Sequence, residues 1–85
     1  MTEQELAKRI ERIFVEEFEI AADRLRPEAH IFGDLGLDSL DVVDLIVALQ
    51  KEFKVQVRDD ERVREIRTLQ DLHDYLETLK REQGG

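Results

Sequence analysis

From residue 38 to residue 54 the chain reads Asp-Ser-Leu-Asp-Val-Val-Asp-Leu-Ile-Val-Ala-Leu-Gln-Lys-Glu-Phe-Lys, with apolar residues on more than one side of a helix. Leu45, Leu49 and Phe53 recur at i, i+4, i+8, and Leu40, Val43 and Val47 at i, i+3, i+7. Val42 and Ile46 fill the gap between the two stripes. A helix apolar around most of its circumference is normally buried deeply, yet 85 residues offer little protein to bury it with. One stripe is therefore expected to face outward toward a partner, flanked by Asp38, Asp41 and Asp44.

The other segments also carry helical spacing. Leu6, Ile10, Ile13, Phe14 and either Val15 or Phe18 line one side of a helix from about Glu3 to Phe18, with Thr2 and Glu5 at capping-box spacing. A connection from about Glu19 to Leu37 holds the only proline, Pro27, and two of the four glycines, Gly33 and Gly36. Pro27 disfavours helical geometry at Arg26. Ile20, Leu25, Ile31, Phe32 and Leu35 are expected to pin this loop to the core. The helix after it starts at Asp38 or Ser39, each a good N-cap, and runs to about Lys54. A short third helix is expected after Asp59-Asp60 through Ile66, with Val63 and Ile66 inward. A last helix follows Thr68, capped with Asp71 at box spacing, and turns Leu69, Leu72, Tyr75 (or Leu76) and Leu79 inward. Gln83-Gly84-Gly85 should fray. The expectation is an all-α fold: one domain over 1–85, a small four-helix bundle with three longer helices, a short third, and a long loop between helices 1 and 2.

Composition removes several classes of function. There is no cysteine, which excludes disulfides, zinc-thiolate sites and thiol catalysis. No apolar run approaches membrane-spanning length and no secretory signal pattern is visible, so a cytoplasmic location without membrane insertion is expected. The formal net charge of -8 disfavours nucleic acid and favours partners with basic patches. A domain this small also has little room for a deep catalytic pocket, which points to a binding or carrier module. Acidic residues at 34, 38 and 41 do not fit the EF-hand ligand spacing, and no metal site is expected.

Ser39 is the only serine. A nucleophile there would need a base and an orienting group. His30 and His73 sit in no recognisable motif, so no catalytic residue is assigned. A serine before an apolar helix is most simply a cap, but Asp38 already offers one, and Ser39 stands beside the outward stripe.

The segment Asp34-Leu35-Gly36-Leu37-Asp38-Ser39-Leu40-Asp41, followed by an apolar helix ending Leu49-Gln50-Lys51-Glu52-Phe53, resembles the phosphopantetheine attachment motif of acyl carrier proteins. The likeness extends over nearly the whole chain, from the amphipathic first helix to the last helix with its Asp74-Tyr75. It implies that a phosphopantetheinyl transferase moves 4'-phosphopantetheine from coenzyme A onto Ser39. It implies too that the arm's thiol carries acyl groups as thioesters between acyl-loading and elongating enzymes with basic docking patches. The carrier itself would be a monomer, not an enzyme, in fatty-acid, polyketide or specialised lipid synthesis. Asp38, Leu40, Asp41, Val43, Asp44 and Val47 correspond to the partner-recognition face, and Leu45, Leu49, Phe53 and Val57 to the lining of an acyl-chain pocket.

Two departures stand out. Gln50 and Lys51, then Arg58, Arg62, Arg64 and Arg67, lie where fatty-acid carriers tend to be acidic, and Gly33 precedes Asp34 where an acid is common. These suggest a specialised pathway. A peptidyl or aminoacyl carrier is the nearest alternative, although Gly36-Leu37 in place of a Gly-Gly pair favours acyl cargo. A helical adapter that binds a partner through Leu40, Val43 and Val47, with no prosthetic group, is the rival outside the carriers.

Overall fold

A computed structural model describes residues 2–57, 63 and 65–83. They form three α-helices, α1 (Glu3–Phe18), α2 (Ser39–Phe53) and α3 (Leu69–Glu82), and a short 3-10 turn at Ala22–Arg24, with no strand among the described residues. The all-α class holds, but the described residues give three α-helices instead of four. The short helix expected after Asp59-Asp60 falls largely on 58–62 and 64, outside the described residues. Val63 and Ile66 are half-buried against the core.

Local chemistry sets the helix bounds. Thr2 Oγ1 accepts from the Glu5 N–H at 3.2 Å, which supplies the serine/threonine half of the box expected there. Glu19 ends α1 in left-handed geometry, with Ile20 N–H bonded back to the Phe14 carbonyl at 3.2 Å. Thr68 and Asp71 form a complete capping box at α3, each side chain bonded to the other's backbone N–H at 3.2 Å. Lys54, also left-handed, closes α2.

Leu6, Ile10 and Phe14 of α1, Leu45, Leu49 and Phe53 of α2, and Leu72, Leu76 and Leu79 of α3 meet in one core, where Phe14 and Leu76 are fully buried. Burying each such side chain contributes roughly 1.5–3 kcal/mol, and among the described residues no charged side chain is buried with them. Phe18 packs partly against the core while Val15 faces outward. Ile20, Ile31 and Leu35 are buried and Leu25 partly so, but Phe32 is 52% exposed, contrary to the expectation that it pins the loop.

Backbone bonds join the long connection to the start of α3. Ile31 N–H donates to the Arg67 carbonyl at 2.9 Å, Leu69 N–H to Ala29 at 3.1 Å, and Gln70 N–H to Pro27 at 2.9 Å. The connection thereby reaches α2 from a fixed point. At the other end, Gln83 exchanges two 2.9 Å bonds with the Gln56 backbone, so its side chain is anchored where fraying was expected; Gly84 and Gly85 lie outside the described residues.

Candidate functional site

The turn before α2 is built from backbone bonds and one carboxylate. Asp34 Oδ2 accepts from the His30 N–H at 2.8 Å, the Asp34 carbonyl accepts from the Arg24 guanidinium, and Gly36 N–H donates to the Phe32 carbonyl. Gly36 has φ +75, a left-handed geometry that a side chain would strain. The buried side chains of Leu35 and Leu37 hold this turn to the core on either side of Gly36.

Asp38, not Ser39, caps α2. Its Oδ1 accepts from the Asp41 N–H at 2.9 Å, and Asp41 Oδ2 accepts from the Asp38 N–H at 3.2 Å. Ser39 is thus the first helical residue, and it is exposed. Its hydroxyl enters no hydrogen bond among the described residues. The Ser39 and Leu40 N–H groups likewise have no partner among the described residues. Free N–H groups and the helix dipole favour an anion at this end. A hydroxyl beside them fits a phosphodiester link. Asp38 and Asp41 bring like charge to the same place, with one oxygen of each held by the box.

Neither imidazole is bonded to Ser39 among the described residues. His30 lies in the turn, and His73 Nε2 sits 3.5 Å from the Glu3 carbonyl oxygen. Neither serves Ser39 as a base. Ligand atoms of Glu3, His73 and Glu77 lie within 4.8 Å of one another, a cluster the sequence reading did not find. Its members are spread over α1 and α3, so no local motif announces it, and nothing beyond this spacing marks it as a metal site.

Along α2 the outward residues form a continuous stripe: Leu40 is 76% exposed, Val43 57% and Val47 42%. Asp44 is exposed and Asp41 half-buried. On the inner side, a cavity of about 160 Å³ lies between the loop, α2 and α3. Leu45, Leu49 and Val57 line it, together with Val42, Ile46 and Leu76 among others. Phe53, expected in that lining, is buried in the core and is not among the residues around the cavity. Phe32 lines the cavity and was not singled out for it, because a loop offers no periodicity from which to read a side chain's direction.

The fold therefore presents an exposed, unengaged hydroxyl at the start of a capped helix, with no imidazole bonded to it among the described residues. Residues 8–76 match the family described as phosphopantetheine attachment site, and the chain belongs to that family. It is accordingly a carrier domain, the site of covalent 4'-phosphopantetheine attachment.

Proposed function

We propose that the chain is an acyl carrier protein whose arm is joined at Ser39. The observation that carries this reading is the division of labour at the start of α2, where Asp38 does the capping and leaves the neighbouring hydroxyl exposed and unbonded. In the attachment reaction the phosphoanhydride of coenzyme A breaks as the bond from Ser39 Oγ to phosphorus forms. The hydroxyl proton goes to the transferase's base, and the adenosine bisphosphate leaves. When attached, the arm supplies a thiol that holds an acyl group as a thioester; the chemistry of loading and elongation belongs to partner enzymes.

Acyl cargo is favoured over peptidyl cargo by the cavity, whose walls are almost wholly hydrocarbon and offer little to a peptide's amide groups. Leu45, Leu49 and Val57 are its proposed acyl-chain contacts. Asp38, Asp41 and Asp44 flank the stripe of Leu40, Val43 and Val47, which together form the proposed docking face for basic partner surfaces. A simple adapter would account for that stripe but not for the freed serine.

Intact-protein mass after incubation with coenzyme A, magnesium and a broad-specificity phosphopantetheinyl transferase tests the assignment. The expected outcome is a gain of one phosphopantetheine unit, absent in Ser39→Ala. No gain with a transferase shown to be active would favour the adapter.

A further inference from the structure

Phe32 breaks the pattern of the loop around it: Ile31, Leu35 and Leu37 are buried, whereas its ring is half exposed. A single exposed apolar side chain is ordinary on its own. Phe32 is also a wall of the apolar cavity, and it is the exposed member of that wall; Leu45, Leu49 and Leu76 on the same lining are buried almost completely. A side chain that both lines a cavity and meets solvent stands where the cavity opens. Its backbone is held by the turn, since its carbonyl accepts from Gly36 N–H and the flanking His30 N–H is held by Asp34, so the ring can move about its side-chain torsions while its attachment point stays fixed.

The cavity lining also extends toward the start of α2. Val42 lines the cavity one turn beyond Ser39, and Leu49 lies ten residues on, roughly 15 Å along the axis at 1.5 Å per residue. An aliphatic chain reaching in from the Ser39 end along α2 would therefore pass Val42 before Leu49.

Building on the acyl-carrier reading above, we infer that Phe32 is the specificity-determining residue at the mouth of the cavity. Its ring closes over aliphatic chains long enough to enter and shields their thioester from water. Short acyl groups that stay outside gain nothing from it. The ring's exposure in the empty protein is then the counterpart of its burial in the loaded one.

The test loads the arm-bearing protein with acetyl or octanoyl groups and follows two readouts: the rate of thioester hydrolysis, and the methyl resonances of Leu49 and Leu76. In the unsubstituted protein, octanoyl should shift both methyl sets and hydrolyse several-fold more slowly than acetyl. Phe32→Ala should raise octanoyl hydrolysis several-fold and leave acetyl hydrolysis unchanged, and Phe32→Leu should recover part of the protection. Because Phe32 is half exposed, its thermal stability should hardly change, which separates this role from a structural one. Equal octanoyl protection in Phe32→Ala, with the Leu49 and Leu76 shifts retained, would overturn the role of Phe32 while leaving the acyl-cavity reading intact. Octanoyl that neither shifts those methyls nor is protected in the unsubstituted protein would overturn both.

Discussion

Asp38 and Ser39 are neighbours with opposite duties: the carboxylate fixes the start of α2, and the hydroxyl beside it is spared. Stability should separate them. Asp38→Ala removes an N-cap and costs about 1 kcal/mol. In a domain of this size such a loss lowers Tm by about 4–8 °C. Ser39→Ala should leave Tm unchanged, as followed by circular dichroism on the protein before the arm is attached; a drop as large as that of Asp38→Ala would return the capping role to the serine. Both residues suit a cap, so composition alone left the choice open. The deciding signal was three residues on, where Asp41 can bond back to Asp38, whereas the residue three beyond Ser39 is Val42, which cannot. Phe32 shows the opposite limit. Its apolar character was plain, but whether a loop side chain points inward depends on turn geometry that no spacing rule encodes.

The capping pair of α3 gives that helix a pH dependence of defined sign. The Arg67 and Thr68 backbone N–H groups both donate to the Asp71 carboxylate, and hold its pKa below the ordinary 3.8. A carboxyl with a depressed folded-state pKa stabilises the fold above the ordinary value and loses that contribution as pH falls through the lowered one. Asp71→Ala should therefore be less stable than the unsubstituted protein at neutral pH, with the gap closing in strong acid. Urea melts at both pH values measure this, and a gap that does not change with pH would show that the charged carboxylate is not what matters. Helix faces were largely legible in the sequence, since the i, i+4 spacing of Leu45, Leu49 and Phe53 gave the correct inward side. Spacing fixes the angle around a helix and not which neighbours an inward side chain meets, so Phe53 is buried in the core without lining the cavity. Gln50 carries a related lesson. Its side-chain oxygen accepts from the Val57 N–H at 2.9 Å, so a residue read from sequence as a change of surface charge holds the segment leaving α2. The case for a specialised pathway rests correspondingly less on Gln50.

For the molecule as a whole, net charge and fold combine. With 21 acidic residues against 13 basic, the chain should attract basic partner surfaces over a distance set by the Debye length, about 10 Å at 0.1 M salt. The second-order rate of Ser39 modification by a transferase with a basic docking face is expected to fall as sodium chloride is raised, with kcat at saturating carrier little changed. A flat salt profile would mean that docking relies on the apolar stripe alone. Of the global architecture, the all-α class and the two long helices flanking the connection were legible because their periodicity is strong. The tie between residues 27–31 and 67–70 was not, since backbone bonds between distant segments leave no residue-type signature.

That tie also divides the connection into parts with different tolerance for changes in length. Ala21–Asp23 are exposed, and an inserted residue there could bulge into solvent. Between Pro27 and Leu37 there is no such slack. Pro27, Ala29 and Ile31 are already matched to Gln70, Leu69 and Arg67, so one residue more or fewer would either break that pairing or swing the start of α2 out of place. A deletion or insertion in this stretch would thus move Ser39, the proposed attachment point, without touching it, and the reach of an arm held there would be set by counting residues many positions upstream.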